Sequence, residues 1–130
     1  MPKSEGPIDQ LLAAIEGGAM GDCEAFAPDA VLDATVPHWR FSVTGSDAVR
    51  AELSRWYATS GRFDEVSRTP IPGGELVTFT LGWQEEGVPH KVHQAHLLTL
   101  SGDHIATDQV WCGGRWDAGL LAEMAAAAEA

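Results

Sequence analysis

Basic residues are scarce in this chain. Eight lysines and arginines stand against 19 aspartates and glutamates, a formal net charge of −11, so a phosphate backbone or an anionic membrane surface would be repelled rather than held. Nucleic acid and membrane are therefore not expected partners. Cysteine is nearly absent as well. Cys23 and Cys112 are far apart and fall in no paired motif, which leaves two reduced, small apolar side chains as the expectation. There is no apolar run long enough to cross a bilayer, and the opening MPKSEGPID lacks the apolar stretch of a signal peptide. A cytoplasmic protein is expected. Internal repeats and long linkers are missing too, so residues 1–130 read as one domain.

What is present is the mix of a globular protein, 45% hydrophobic and 21% charged residues. Ile8, Leu11, Leu12, Ile15 and Ala19 recur at helical spacing behind Pro7, which a first helical turn tolerates, until Gly17-Gly18 interrupts. An amphipathic first helix is predicted there. A short second helix is predicted from a cap at Asp22, with Phe26 turned inward and Pro28-Asp29 ending it. AVLDATV and RFSVTG, rich in β-branched and apolar residues and broken by Pro37, read as two strands. Gly45 and Ser46 supply a stop and an N-cap for a third helix running to about Ser60, with Val49, Leu53, Trp56 and Tyr57 on one face.

Beyond Phe63 the chain reads as four strands, FDEVSRTPI, ELVTFTLGW, HKVHQAHLLTL and HIATDQVWC, separated by Pro72-Gly73-Gly74, Glu86-Gly87 and Ser101-Gly102-Asp103, all hairpin-type turns. Asp117 can cap a short C-terminal helix carrying Leu120, Leu121 and Met124. The expected class is α+β, a curved, largely antiparallel sheet with three N-terminal and central helices against one face. Where the helices do not cover that face, an apolar pocket remains.

Three histidines, His90, His93 and His96, follow one another at three-residue steps in HKVHQAHL. On a strand, side chains three apart point to opposite faces, and His90 and His96, which share a face, lie roughly 20 Å apart. The trio therefore does not read as a metal site, and no metal is expected. His96 has another candidate partner. With a three-residue loop, Ser101-Gly102-Asp103, Asp108 lies directly across from it, whereas a two-residue loop, Gly102-Asp103, sets Asp108 opposite Leu97 on the face that His96 avoids. Side by side, the carboxylate would fix the tautomer of the imidazole and poise it to accept or deliver a proton near neutral pH. The same pair could instead be a buried histidine satisfied by an aspartate that serves only the fold.

Gln94 shares the His96 face, and His93 reads as a structural or surface histidine. Trp39 and Phe41 on the second strand, Trp56 and Tyr57 on the third helix, Phe79 and Trp83 on the fourth strand and Trp111 on the last are more aromatic bulk than a small core needs. Some of it should wall a pocket for a flat, apolar ligand, with His38 beside Pro37 adding a polar contact at the rim. The stretch GGRW, Gly113 to Trp116, reads as a strand end leading to a helix.

The element order, together with GDCEAFAPDAVLDATV, the GSDAV that opens the third helix, and the turn SGDHI leading into DQVW, resembles the nuclear transport factor 2-like superfamily, in particular its bacterial SnoaL-like members, from about Ile8 to Trp116. The resemblance implies a cone, a strongly bent sheet around a pocket that the long helix closes. That superfamily includes ketosteroid isomerase, scytalone dehydratase, limonene epoxide hydrolase and polyketide cyclases beside non-catalytic binding proteins, so the pocket residues rather than the fold must decide the function. It also implies that His96 falls near the strand position where ketosteroid isomerase carries an oxyanion-stabilising acid, and that Asp108, Val110 and Cys112 fall on a pocket-lining strand. The chain departs from that enzyme elsewhere: the position of its first-helix tyrosine corresponds to the region of Ala14, and that of its aspartate base to Asp33 or Ala34.

The expectation is thus a cofactor-independent acid–base enzyme, a cyclase, isomerase, dehydratase or related lyase, acting on a small apolar or aromatic metabolite. His96 would be the general acid or base and Asp108 would orient it, with Gln94, His38, Trp39, Phe41, Trp56, Tyr57, Phe79, Trp83, Val110 and Cys112 as candidate substrate contacts. The alternatives are a non-catalytic small-molecule-binding protein of the same fold and a protein-interaction module. A homodimer through the outer face of the sheet is expected from the habit of the relatives.

Overall fold

In the computed structural model, which describes residues 6–129, α1 (Pro7–Gly17) has proline in its first turn and ends where Gly18 takes φ 64° and bonds its N–H back to the Ala14 and Ile15 carbonyls. Both ends follow from local chemistry, the fixed φ of proline and the left-handed freedom of glycine. Ile8, Leu11, Ala14 and Ile15 form the buried face of this helix. A single 3₁₀ turn, Met20–Asp22, follows. The helix expected from an Asp22 cap does not form. Phe26 instead opens β1 (Phe26–Val36), and Pro28-Asp29 lie in a stretch where the pairing of that strand slips. A proline has no N–H to give the ladder, and a stretch of slipped pairing accommodates it.

β2 (Trp39–Thr44) returns antiparallel to β1. Gly45, not Ser46, is the N-cap of α2 (Ser46–Trp56), with no side-chain cap bond. The helix stops at Trp56, short of Ser60, and leaves Tyr57 as the residue just past it. β3 (Arg62–Ile71), β4 (Gly74–Glu85), β5 (Val88–Ser101), β6 (His104–Trp116) and α3 (Ala118–Ala128) complete the chain. The six strands form one curved sheet in the order β2-β1-β6-β5-β4-β3. It is antiparallel throughout except where β1 runs parallel to β6.

One face of the sheet meets α1 and α2 in a single apolar cluster that includes Leu11, Ile15, Leu32, Leu53, Phe79, Leu98, Ile105 and Val110. α3, capped by Asp117, which accepts the Leu120 N–H at 2.9 Å, buries none of its residues. Among the described residues no helix is long and apolar enough to cross a membrane.

Two extra residues in β6 decide what that strand presents. Ser101 pairs with His104, so the hairpin loop is the two-residue Gly102-Asp103, not the three-residue one. Continued regularly, that register would send Asp108 to the face away from His96. It is not continued: Leu100 pairs with Ile105 and Thr99 with Thr107, so Ala106 is an inserted residue. Beyond it Leu98 faces Asp108 and His96 faces Val110, which returns all four to the helix-covered face. A second insertion at Gly113-Gly114, with Gly114 at φ 96°, pairs Arg115 with the inward-facing Val92. Bulges bend a strand and re-aim its side chains, and here they do both near one site.

The turn from β3 to β4 offers a test of how tightly the sheet is drawn together. A Cβ added at Gly74 would lie 1.7 Å from the Leu98 carbonyl oxygen, whereas at Gly73, φ 79°, nothing lies within 4 Å. Gly74→Ala should therefore cost about 2–4 kcal/mol, read as a lower denaturation midpoint. Gly73→Asn, at a left-handed position that asparagine tolerates, should change stability by less than about 1 kcal/mol. Equal losses at the two glycines would refute the close approach of β4 to β5.

Candidate functional site

On β5, Gln94, His96 and Leu98 alternate onto the helix-covered face and are buried there. β6 sets Asp108, Val110 and Cys112 beside them. From the opposite side, the end of α2 delivers Tyr57, which is 3% exposed. His96 Nδ1 lies 2.8 Å and 3.0 Å from the two carboxylate oxygens of Asp108. Across the ring, Nε2 lies 2.9 Å from Gln94 Oε1. The same Oε1 accepts the Tyr57 hydroxyl, while the Gln94 amide nitrogen donates to Cys112 Sγ at 3.4 Å. Phe79 stacks on the imidazole, centroids 5.3 Å apart and planes 24° from parallel.

The protons in this chain of groups can be counted. An amide oxygen only accepts, so His96 Nε2 must carry a hydrogen to bond Gln94. Nδ1 and the carboxylate then need one further proton between them, held either as imidazolium beside carboxylate or as imidazole beside carboxylic acid. Both forms leave each group partnered, the condition for keeping such a pair out of water. Burial, reinforced by Asp108 and Cys112, pushes the Tyr57 phenol well above its ordinary pKa of 10.0. It is therefore a hydrogen-bond donor over the whole physiological range.

Tyr57, Gln94 and Cys112 also line a cavity of about 730 Å³, a volume in the range of small-molecule sites. Being buried or nearly so, they form its closed end. Its walls include Val36, Trp56, Leu81, Trp83 and Val92, and its more exposed lining includes Arg55, Glu85 and Arg115. Each tryptophan is held by its indole N–H, Trp56 to Glu52 at 2.9 Å and Trp83 to Glu85 at 2.6 Å. Arg55 bonds the same Glu52 and Arg115 the same Glu85. The Trp83 indole, then the Arg115 and His90 charges, hold the Glu85 carboxyl below its ordinary range.

The residues singled out from the sequence separate into groups. Trp56, Tyr57, Trp83, Gln94 and Cys112 line the cavity. His96 and Asp108 lie behind its closed end, with Phe79 and Val110 buried in the adjoining core. Phe41 meets Trp56 edge-on at 6.4 Å without itself lining the cavity. His38 and Trp39 lie outside it: His38 takes φ 79° in the turn between β1 and β2, and Trp39 is 70% exposed. Asp33 turns outward to Arg40, bonded at 2.6 and 2.9 Å, while Ala34 is buried. His90 stacks on Trp83 and His93 contacts Thr80 at 2.7 Å. The three histidines thus occupy three environments, and among the described residues no three His, Cys, Asp or Glu side chains are grouped to hold a metal ion.

Arg55, Glu85 and Arg115 are cavity residues beyond those expected from the sequence. Arg115 did have a signal, because a glycine pair inside a strand marks a bulge and a bulge changes which face the next residue meets. Glu85 had one as well, since alternation along β4 sets it on the face of Trp83 two residues earlier, and only its contact with Arg115 depends on a second strand.

No protein-family model matches this sequence, and no curated protein does. Solved structures do match. An NTF2-like protein of unknown function from Mesorhizobium loti superposes with a TM-score of 0.64 at 14% identity, over 88% of this chain and 98% of that one. A protein with a ketosteroid isomerase-like fold from Catenulispora acidiphila, crystallised with trimethylamine, gives 0.59 at 20% identity over 85% and 88%. A phenazine biosynthesis-related protein from Pseudomonas aeruginosa gives 0.61 at 14% identity over 82% and 79%. At these identities the likeness is one of fold: the chain has the nuclear transport factor 2-like, ketosteroid isomerase-like fold.

Tyr57 is the one tyrosine of the chain, so tyrosinate absorbance reports on it alone. Its phenol is raised in the folded state, so the unfolded chain ionises first. The resulting stability is complete below about pH 10 and is lost as pH climbs toward the folded value. The folded protein should show no tyrosinate at about pH 10, and the signal should appear only together with loss of circular dichroism. Ionisation at the ordinary value with the fold intact would overturn the buried network.

Proposed function

We propose that this protein is a cofactor-independent acid–base enzyme of the SnoaL-like kind, an isomerase, cyclase, dehydratase or related lyase that moves a proton on a small apolar or aromatic metabolite. The observation that carries this reading is the hydrogen-bonded series Asp108, His96, Gln94 and Tyr57, which runs out of the core and ends at the closed end of an apolar-walled cavity. A purely structural core has no need of such a series, since well-packed apolar residues are often as stable or more so.

A carbonyl or hydroxyl oxygen of the substrate entering the cavity meets Tyr57 first. The Tyr57 O–H turns from Gln94 to that oxygen and donates, stabilising the negative charge that develops there as the proton leaving the neighbouring carbon passes to solvent water. His96 Nε2–H, 3.4 Å from the phenol oxygen, then donates to it in turn. Asp108 balances the positive charge on the ring and fixes its orientation through Nδ1. His96 is thus an acid that acts through Tyr57 and recovers its proton in the reverse step.

A small-molecule-binding protein of the same fold fits one observation better: His96 and Asp108 are each 1% exposed and do not line the cavity. The two readings part in a general assay for proton transfer, the uptake of solvent deuterium by a panel of aromatic and alicyclic ketones followed by nuclear magnetic resonance. For an enzyme, one or more ketones should exchange, and Tyr57→Phe, which keeps the ring but loses the hydroxyl, should slow exchange about 10²-fold. His96→Gln should do the same with circular dichroism unchanged. A binding protein would catalyse no exchange and would keep ligand affinity within a few-fold in both variants.

Assembly as a homodimer belongs to the same proposal. The sheet face turned away from α1 and α2 carries Trp111 opposite Ala95, and Trp111 is 43% exposed. Tryptophan in that position is the kind of residue interfaces gather. Sedimentation should give twice the 13.9 kDa chain mass, and Trp111→Glu should give folded monomer. A wild-type monomer at tens of micromolar would end this part of the proposal.

A further inference from the structure

Charge at the cavity does not follow the acidic balance of the chain. Acids outnumber bases 19 to 8 overall, yet the charged residues of the cavity lining are two arginines, Arg55 and Arg115, and one acid, Glu85. Glu85 is engaged by Trp83 and Arg115. Glu52, the counter-ion of Arg55, lies outside the lining, with its two oxygens taken by Arg55 and Trp56. Paired with Glu52 and Glu85, the two arginines bring the cavity mouth close to neutrality in an otherwise acidic protein, and their remaining N–H groups are the charged donors an entering molecule can meet.

The two arginines are built in alike. Each commits Nη2 to a glutamate that also accepts a tryptophan indole, as Trp56–Glu52–Arg55 and as Trp83–Glu85–Arg115. A guanidinium has five N–H groups, and these side chains are 69% and 60% exposed, so donors remain at the open end of the cavity. The Arg115 guanidinium lies 5.1 Å from the Trp83 ring centroid. Aromatic walls and forked donors are thus carried on the same frames.

From this arrangement we infer that the cavity takes a planar, apolar or aromatic molecule bearing a single carboxylate, with its ring against Trp56 and Trp83 and its carboxylate at Arg55 and Arg115. The inference rests on the reading of the cavity as a small-molecule site and adds the ligand's class and direction of entry. A planar carboxylate accepts from two parallel N–H groups of a guanidinium and brings one negative charge to a near-neutral mouth, whereas a phosphate dianion would bring two against the field of the whole chain. With the carboxylate at the open end, the opposite end of the molecule is the part that reaches Tyr57 and Gln94.

Isothermal titration with naphthalene-2-carboxylate, naphthalene-2-carboxamide and 2-naphthyl phosphate tests this without knowledge of the natural ligand. The carboxylate should bind about ten-fold more tightly than the amide, should weaken as salt is raised, and should bind more tightly than the phosphate. In Arg55→Gln combined with Arg115→Gln the preference for the acid should vanish while the amide keeps its affinity. An amide that binds wild-type protein as well as the acid does would overturn the charge assignment and leave the cavity reading standing. Tighter phosphate binding would overturn the carboxylate, and failure of all three probes to bind would remove both the assignment and the cavity reading. The wild-type probe and salt comparisons decide the matter even if the double variant misfolds.

Discussion

The contact between His96 and Asp108 is the constraint around which the rest of this structure is arranged. Neither side chain can sit in a core by itself, and a buried pair of this kind that loses one member costs about 3–5 kcal/mol. Satisfying it demands neighbours on every side. Asp108 must face inward, which requires the inserted Ala106 in β6. The far nitrogen of the imidazole must find an acceptor, which Gln94 provides two residues earlier on the same strand face. The acceptor is completed by Tyr57, which reaches it because α2 ends at Trp56. Hairpin, bulge and helix end are thus tied to one polar contact.

The same helix end organises the cavity. Arg55, Trp56 and Tyr57 are consecutive, yet they contribute a partly exposed charge, an aromatic wall and the closed end of one space. Neighbouring residues diverge by about 100° around a regular helix, and Tyr57, past the last turn, continues inward to Gln94. The resulting cavity is graded, with guanidinium groups at the exposed side, apolar rings along the walls and a neutral donor held protonated by burial at the end. A gradient of that kind selects orientation as well as composition, because a ligand with one charged and one polar end fits it in only one direction.

Much of the fold is legible in the sequence. The first helix, the strands on either side of Pro37 and the four later strands follow from periodicity and from glycine and proline placed at turns, which are properties of neighbouring residues. The second helix expected from the sequence is absent for a related reason. Asp22 looks like a cap and Pro28-Asp29 like a stop, but Phe26 has a place in the core beside the parallel strand β6, and tertiary burial outweighs a weak local preference. Among the site residues, the faces of Gln94 and His96 follow from simple alternation along β5. Arg115 does not, because two glycines reset the alternation just before it.

By itself the sequence determined the class of the fold, the excess of negative charge and the identity of the polar residues that could not be buried unpaired, since each depends on composition or on spacing within a few residues. Tertiary structure alone decided that Asp108 meets His96 in spite of a two-residue loop, that both lie behind the cavity, and that Arg55 and Arg115 stand at its exposed side. The physical reason is the two-residue period of a strand. A single inserted residue reverses every face beyond it, and where an insertion settles depends on the curvature of the whole sheet and the helices packed on it.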